Sequence, residues 1–275
     1  MAGKRILVLG ASGRVGRLLC AAWDRQPPDA QLVLQSRSGP GIHWQPGQPN
    51  PFGAVDAVIA LWGVTPGPDA DLDMNTTLAL AAQDIAAQCG ASRVLHCSSV
   101  AVYSPSDAPV AEDAPTAPTN PYGAAKLAME HALTGAPGST ILRIGSVAGA
   151  ESLAASIRRG WAGDPQPLRL DRFADGHGPA RSYIAPSDMA RALIRLASAP
   201  APLPPVLNFA APAPVRMEAL LTAARHPFDW QPAPDGARQT ATLDCTRMAA
   251  LTGLGPQHAD PAHIIADWFT LEGRA

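Results

Sequence analysis

A glycine-rich turn near the start of the chain constrains its fold more than any other feature. Gly10, Gly13 and Gly16 follow the apolar run of residues 6–9 and precede the amphipathic stretch of residues 18–23. This order predicts a buried strand, a tight turn and the first turn of a helix. Glycine lets the backbone turn sharply and approach a pyrophosphate, whose charge the amides at a helix N-terminus bind. The spacing is GxxGxxG, not the GxGxxG of the dehydrogenase fingerprint, so alone it also fits a purely steric turn.

A second motif lies more than a hundred residues downstream and concerns proton transfer. Tyr122 and Lys126 are spaced as YxxxK on a predicted helix, and Ser98 and Ser99 end a predicted strand. Residues four apart share one face of a helix. An ammonium beside a phenol lowers the pKa of the phenol from its ordinary value of about 10. YxxxK alone also fits an ordinary helix with a buried Tyr and a surface Lys, but the combination predicts a site for general acid–base chemistry.

These motifs resemble those of the short-chain dehydrogenase/reductases, and specifically their extended branch of epimerases, dehydratases and reductases. Residues 97–103 (CSSVAVY) look like that branch's SSxxVY signature, and residues 120–126 (NPYGAAK) are similar to its PYxxxK block. Residues 181–188 (RSYIAPSD) resemble its RDYIHVxD block, and residues 206–209 look like its late strand. Asn75 lies where the branch keeps an asparagine. The resemblance spans nearly the whole chain.

The resemblance implies a role for each catalytic candidate. Tyr122 acts as general acid and base on a substrate carbonyl or carbinol, and Ser99 holds the same oxygen by a hydrogen bond. Lys126 binds the nicotinamide ribose and lowers the pKa of Tyr122. Asn75 is a lesser catalytic candidate, because an Asn near a helix start is often only a cap.

Cofactor choice depends on the end of the second predicted strand. An NAD site usually has Asp or Glu there to bind the ribose 2′-hydroxyl. Residues 34–38 (LQSRS) offer no carboxylate, whereas Arg37 and also Arg14 could bind a 2′-phosphate. NADP is therefore preferred to NAD, the alternative being that both arginines are solvated surface groups. The residues expected to contact the cofactor are Gly10, Ser12, Gly13, Arg14, Val15, Gly16, Arg37, Leu61, Trp62, Tyr122 and Lys126.

The substrate is less constrained, and Ser99, Ser146 and Arg181 are its expected contacts. By resemblance, Arg181 matches the position that contacts the diphosphate of nucleotide sugars. Ser146, however, stands where sugar-nucleotide enzymes commonly carry Asn, and the segment between these two residues is short for that subgroup. The leading hypothesis is an NAD(P)-dependent oxidoreductase or epimerase acting on a carbonyl/carbinol pair, with nucleotide sugars as one substrate class. The alternatives are a small-molecule aldehyde or ketone reductase and a non-catalytic NADP-binding regulatory protein.

Composition excludes several other classes. The chain has 275 residues, is 16% charged and has a net charge of −2, so no electrostatic footprint for nucleic acid is expected. The four cysteines lack disulfide or metal-ligand spacing, so we expect no metal and a reduced, cytoplasmic setting. Only a few residues separate Met1 from the first predicted strand, so no signal peptide is expected, and no apolar run reaches ~18 residues, so no membrane span is expected.

Strand and helix patterns alternate, which predicts an α/β fold with a Rossmann-type doubly wound parallel sheet and a small, discontinuous C-terminal substrate-binding portion. Residues 1–145 and 183–210 form the expected dinucleotide-binding domain, and residues 146–182 and 211–275 the substrate-binding portion. Strands are expected near 4–9, 31–36, 55–60, 92–98, 139–144 and 205–210. Helices are expected near 14–25, 72–89, 121–134, 151–160, 186–198, 216–224 and 261–270.

Two of these helices favour a homodimer. Helix 72–89 is apolar on nearly every face, and helix 121–134 is rich in alanine. Covering one face of a sheet needs only one apolar stripe, so the other could pack about a two-fold axis. The alternative is a monomer that tolerates alanine-rich surfaces, since alanine is a strong helix former.

Overall fold

The computed structural model describes residues 3–161, 163 and 165–274, which form a mixture of strands and helices. The strands are β1 (Lys4–Leu9), β2 (Ala30–Ser36), β3 (Ile42–His43), β4 (Ala57–Ala60), β5 (Arg93–Ser99), β6 (Ser139–Ile144), β7 (Ser146–Val147), β8 (Leu168–Arg172), β9 (Ala180–Ile184), β10 (Val206–Phe209), β11 (Pro214–Arg216), β12 (Phe228–Pro232) and β13 (Thr240–Ala241). The helices are α1 (Arg14–Arg25), α2 (Met74–Cys89), α3 (Pro121–Ala132), α4 (Ser152–Gly160), α5 (Pro186–Ser198), α6 (Met217–Ala223), α7 (Thr246–Thr252) and α8 (Pro261–Leu271).

Seven parallel strands form the central sheet, in the order β3-β2-β1-β4-β5-β6-β10. Alternate residues of the strands enter different cores: Ile6 and Val8 pack with α1 and α5, whereas Leu7 and Leu9 pack with α2. Helices therefore cover both faces, and the predicted α/β, doubly wound parallel fold is confirmed. The chain leaves β1 in one direction along the sheet and later continues from β4 in the other. In such sheets a crevice opens at the carboxyl ends of the two strands that flank the reversal.

The smaller sheets lie in the later part of the chain. Strand β9 pairs with β7, β11 and β13, and β8 pairs with β12. A second apolar core links them, with Ile157, Leu220 and Trp268 among its buried members. This core draws mainly on residues 146–182 and 211–275 and also includes Leu18 and Tyr183. That grouping is consistent with the predicted two-part division, which stays a prediction.

The sequence pattern missed the short elements. Strands β7, β8, β9, β11, β12 and β13 span two to five residues, and α7 spans seven. Segments this short show too few periods to separate them from loops. Among the described residues, no helix combines the length and the apolar character that crossing a bilayer requires.

Candidate active site

The glycine turn after β1 is shaped so tightly that side chains do not fit. Gly10 has a φ of +90°, and a Cβ there would lie 2.7 Å from the backbone nitrogen of Trp62. At Gly16 a Cβ would lie 2.3 Å from the carbonyl oxygen of Gly10. The first-turn amides of a helix have no intrahelical partner. At α1 the preceding residue, Gly13, has no side chain that could accept from them. The turn therefore fits a pyrophosphate placed on these amides.

The end of β2 holds the glycine turn through a residue that sequence reasoning gave no role. The side chain of Gln35 is buried; its Oε1 accepts from the Gly10 amide at 2.9 Å and its Nε2 donates to the Trp44 carbonyl at 2.6 Å. The next residue, Ser36, is also buried, and its hydroxyl has no hydrogen-bond partner among the described residues. Arg37 follows and is exposed. The absence of a carboxylate here was visible in the sequence, but the bracing by Gln35 depends on contacts across the sheet.

The guanidinium of Arg14 reaches toward the catalytic candidates. Its Nη2 donates to Thr65 Oγ1 in the loop after β4 at 2.7 Å. Its charge also lowers the pKa of Tyr122, so the two side chains lie near each other. Of the two cations proposed for a 2′-phosphate, Arg37 is the one that directly follows β2.

Ser99 and Tyr122 come together at the carboxyl edge of the sheet. Ser99 is the last residue of β5, and Tyr122 lies in the first turn of α3, where Asn120 Oδ1 accepts from the Gly123 amide at 2.8 Å. The Ser99 side chain acts on the Tyr122 phenol and lowers its pKa. Ser98, by contrast, donates to Glu130 Oε1 in the interior. Of the two serines, Ser99 is therefore the one that acts on Tyr122.

Lys126 lies one turn further along α3 and is directed at the strand. Its Nζ donates to the Cys97 carbonyl at 2.9 Å and lies 6.0 Å from the centroid of the Tyr122 ring. Burial lowers the pKa of Lys126, while the neighbouring Cys97 and Glu130 raise it. The loop after β4 passes close by, since a Cβ at Gly63 would lie 3.2 Å from the Lys126 Nζ.

The pKa of Tyr122 departs from the sequence expectation. Burial raises it, and the Ser99 side chain and the charge of Arg14 only partly oppose that effect. The expected lowering by Lys126 is not seen in this arrangement, because the ammonium is turned to the Cys97 carbonyl. Tyr122 is therefore a neutral phenol at neutral pH.

Asn75 supports the loop after β4 and does not cap α2. Its side chain is buried; Oδ1 accepts from the Val64 amide at 3.1 Å, and Nδ2 donates to the Val64 and Leu72 carbonyls at 3.0 and 2.9 Å. The position before α2 is taken by Asp73. All the hydrogen-bonding groups of the Asn75 side chain thus hold the loop that passes over Lys126.

Leu61 and Trp62 directly follow β4, as expected of residues beside the cofactor. The Leu61 amide donates to the Leu9 carbonyl at 2.9 Å, which continues the pairing of β4 with β1. The Trp62 ring stacks on Trp44 with centroids 6.2 Å apart, and Phe52 meets Trp44 edge-on. The Trp62 indole N–H is buried without a partner among the described residues. The Trp62 ring is therefore packed against the core beside the loop after β4.

Ser146 and Arg181 lie on the neighbouring strands β7 and β9, away from the glycine turn. Ser146 lies opposite the buried Tyr183 in the pairing of β7 with β9; burial raises the pKa of the Tyr183 phenol, and the Ser146 side chain partly opposes that effect. The Arg181 guanidinium donates to the carbonyls of Ala180, Arg238 and Gln239 at 2.7–2.9 Å. The guanidinium therefore ties β9 to the chain that leads into β13.

Sequence reasoning missed a partly buried carboxyl near this pair. Glu151 caps α4 by accepting from the Leu153 and Ala154 amides, and burial raises the pKa of its carboxyl to about 7. Its charge also acts on Tyr183 of β9, a proximity that no sequence motif indicates. Among the described residues, no group of three His, Cys, Asp or Glu side chains could hold a metal ion.

Comparison with known proteins places this geometry in a family. The model of the NAD dependent epimerase/dehydratase family matches residues 6–210. UDP-glucose 4-epimerase of Corynebacterium glutamicum is 30% identical in an alignment 222 residues long, which covers 70% of this chain and 67% of that protein. UDP-glucose 4-epimerase of Streptomyces lividans is 41% identical over 69 residues, which are 25% of this chain and only 21% of that protein. The chain belongs to the NAD dependent epimerase/dehydratase family, which confirms the predicted resemblance and the enzyme class at the level of the family.

Solved structures share the fold over the full chain. UDP-glucose-4-epimerase from Stenotrophomonas maltophila, with bound NAD and formylated UDP-arabinopyranose, matches with a TM-score of 0.80 at 20% identity and covers 98% of each chain. MoeE5 in complex with UDP-glucose and NAD matches with a TM-score of 0.77 at 22% identity and covers 98% of this chain and 99% of its own. Both are Rossmann-type α/β proteins like this chain.

Proposed function

We propose that this chain is an NAD(P)-dependent oxidoreductase or epimerase that interconverts a carbonyl and a carbinol, with Ser99, Tyr122 and Lys126 as its catalytic residues. The observation that carries the proposal is the packing of α3 against the end of β5: Lys126 donates to the Cys97 carbonyl at 2.9 Å, and Tyr122, one turn earlier on the same helix, lies where Ser99 lowers the pKa of its phenol. This group lies at the carboxyl edge of the sheet, on the side of the glycine turn. The UDP-glucose 4-epimerases among the relatives support nucleotide sugars as the substrate class.

A bound nicotinamide supplies the acceptor and donor of hydride. The chain's own residues manage the proton at the substrate oxygen. Tyr122, a neutral phenol, donates its proton to a carbonyl as the carbonyl is reduced and takes it back when the carbinol is oxidised. The Ser99 hydroxyl would hold the same oxygen, and the ammonium of Lys126 would bind the ribose of the cofactor.

A second candidate is a reductase of small aldehydes or ketones. The hydrogen bonds of Arg181 favour this reductase, since the guanidinium already donates to three backbone carbonyls. A diphosphate would have to compete with these partners. Two readouts separate the candidates: a reductase oxidises the reduced cofactor in the presence of a carbonyl compound, whereas an epimerase returns the hydride and is detected by formation of the epimer of a nucleotide sugar. No turnover in either assay would favour the third alternative, a non-catalytic NADP-binding regulator.

Tyr122→Phe tests the catalytic assignment. The change removes the proton donor and keeps the ring, so we expect turnover to fall by ~10²–10⁴-fold with cofactor affinity nearly unchanged. Tyr103→Phe is the matched control: that buried hydroxyl bonds Asn208 and not Tyr122, so activity should stay near the wild-type level. A Tyr122→Phe variant that keeps more than about a tenth of the wild-type rate would refute the assignment.

We also propose NADP as the preferred cofactor, with Arg37 as the ligand of the 2′-phosphate. Three features at the end of β2 support this: Gln35 is neutral and already bonded, Ser36 leaves a buried hydroxyl without a partner among the described residues, and Arg37 is exposed. The structural neighbours named above hold NAD, so NAD is the competing outcome.

Dissociation constants for NADPH and NADH decide between the two cofactors. Arg37→Ala should weaken NADPH by ~10–100-fold and leave NADH nearly unchanged, because a charge-assisted contact is lost. Arg25→Ala, at the far end of α1, removes an exposed arginine as a control and should change neither constant. Equal wild-type affinities, or equal losses for both cofactors in Arg37→Ala, would overturn the proposal.

We infer a cytoplasmic setting and a homodimer as the assembly. All four cysteines are free thiols, which suits a reducing compartment. Helix α2 exposes Met74 and Leu80, at 37% and 44%, on the side turned away from the sheet. These side chains support a two-fold contact through α2 and α3.

A further inference from the structure

A buried carboxylate lies one helical turn beyond Lys126 and has no role in the chemistry above. Glu130 is 5% exposed, and its side chain points from α3 onto the central sheet. Burying an ionised carboxyl is costly unless it is paired and hydrogen-bonded. Two groups meet that need here, and both belong to strands that border the active site.

Two successive turns of α3 are bonded to two successive residues of β5. The Lys126 Nζ donates to the Cys97 carbonyl at 2.9 Å, and Glu130 Oε1 accepts from the Ser98 hydroxyl at 2.5 Å. Tyr122 lies one turn before Lys126, where the Ser99 side chain acts on its pKa. Because residues four apart share a helix face, these two bonds fix the height of α3 along the strand. A shift of α3 that broke the Glu130 bond would also move Tyr122 relative to Ser99.

Arg143 completes the site of Glu130 from the neighbouring strand β6. Its Nε lies 3.2 and 3.1 Å from the two carboxylate oxygens, and its Nη2 donates to Oε2 at 2.7 Å. The side chains of Arg143 and Glu130 are only 8% and 4% exposed. The remaining Nη1 donates to the Glu112 carbonyl at 3.0 Å. A buried ion pair is seldom better for stability than a well-packed apolar pair of similar volume, so its value here is the geometry that it enforces.

The charge of the Glu130 carboxylate also acts on Lys126, the lysine proposed as catalytic. Burial lowers the pKa of Lys126, and the charge of Glu130 opposes this effect. Besides Tyr122, the other titratable groups next to Lys126 are His96 and Cys97. Burial and Lys126 lower the pKa of His96 to about 4, and burial raises the pKa of the Cys97 thiol to about 11, so both are neutral at neutral pH.

We propose that Glu130 is a positioning residue: held by Arg143 and Ser98, it sets the register of α3 on β5 and keeps Lys126 in its charged, strand-bound position. The roles of Tyr122 and Lys126 in this statement rest on the proposed function. The placement of Lys126 can be measured without turnover, so the two ideas fail separately.

The chain makes that measurement direct because Lys4 and Lys126 are its only lysines. Nitrogen-15 NMR of the lysine ammonium groups follows the titration of both, and Lys4, which pairs with Asp56 at the surface, is an internal control. Glu130→Gln should lower the pKa of Lys126 and leave that of Lys4 unchanged. It should also reduce kcat by ~10–100-fold, since small misplacements of catalytic groups have effects of that size.

Asp188→Asn is the matched control for loss of a buried carboxylate. Asp188 is fully buried and pairs with Arg191 and His263, but it lies on α5. We expect Asp188→Asn to lower the melting temperature and leave the Lys126 titration unchanged.

The double variant Glu130→Met with Arg143→Met removes the whole pair and keeps side-chain volume. It should melt near the wild-type temperature and still show the lowered kcat. Wild-type Lys126 titration in Glu130→Gln, or wild-type kcat in the folded double variant, would overturn the proposal. If Tyr122→Phe stays active while Glu130→Gln still shifts the Lys126 titration, the catalytic assignment fails and the positioning role stands.

Discussion

Gly123→Ala tests how closely the catalytic helix must approach the strand that carries Ser99. Gly123 follows Tyr122 in α3, and a Cβ there would lie 2.2 Å from the Ala101 carbonyl oxygen and 2.8 Å from the Pro118 Cβ. Ordinary contact begins at 3.4 Å, so the backbone of α3 must retreat by about 1 Å. A displacement of that size at a catalytic group can cost about 10²-fold in rate.

Stability should change little, because two effects oppose each other. Alanine is favoured over glycine inside a helix by about 1 kcal/mol. Overpacking costs about 1–3 kcal/mol, so the net loss is about 1 kcal/mol, or a fall of about 2–4 °C in melting temperature. We therefore expect kcat to fall about 10²-fold in a protein that melts only slightly earlier.

Steady-state kinetics and thermal melting of the same samples check this prediction, with Gly67→Ala as the control. A Cβ at Gly67 would meet nothing within 4 Å, so that variant should keep both kcat and melting temperature. If Gly123→Ala raises the melting temperature and keeps kcat within about twofold, helix propensity alone has decided the outcome. The close contact with Ala101 would then place no constraint on the site.

Two further predictions concern assembly and pH. Light scattering at micromolar concentration should find a dimer, and Leu80→Glu should convert it to a monomer. The control Leu251→Glu, at a similarly exposed position on α7, should stay dimeric. A monomeric wild type would count decisively against the assembly. For pH, burial raises the pKa of Glu151 from its ordinary 4.5 to about 7, so the folded state binds this proton more tightly than the unfolded state does. The stabilisation is complete below about pH 4.5 and is lost as pH rises to about 7, by up to roughly 3 kcal/mol. Denaturant unfolding of wild type and Glu151→Gln from pH 5 to 8 should show this loss only in the wild type, and parallel pH profiles would show that the carboxyl does not titrate there.

Local sequence features predicted the part of the site that is built locally. The apolar strand before Gly10 and the spacing to Gly16 identify the turn because only glycine fits its backbone. YxxxK identifies Tyr122 and Lys126 because one helix presents both on one face. Gln35 escaped because its partners, the Gly10 amide and the Trp44 carbonyl, become neighbours only when β1, β2 and the chain after β3 pack together.

The pKa of Tyr122 shows a second limit of sequence reasoning. The pattern correctly places a cation near the phenol but does not report where that cation points. In the folded chain Lys126 bonds the Cys97 carbonyl, and burial of the phenol has the larger effect on its pKa. A motif identifies the chemical partners of a group. How far burial, charges and hydrogen bonds shift its pKa depends on every element packed around it, and hence on the fold.

Arg181, the proposed substrate contact, is a second case in which a motif residue has partners that the motif does not specify. Arg181 stands where the resemblance places a diphosphate ligand, yet its guanidinium is held by carbonyls of residues 180, 238 and 239. Two of those carbonyls belong to the chain that enters β13, a strand of two residues that no sequence pattern predicted. Whether Arg181 serves a substrate therefore depends on residues 238–241, whose backbone a diphosphate would have to displace. The proposed contact of Arg181 with a diphosphate thus depends on how β13 and the chain before it pack on β9.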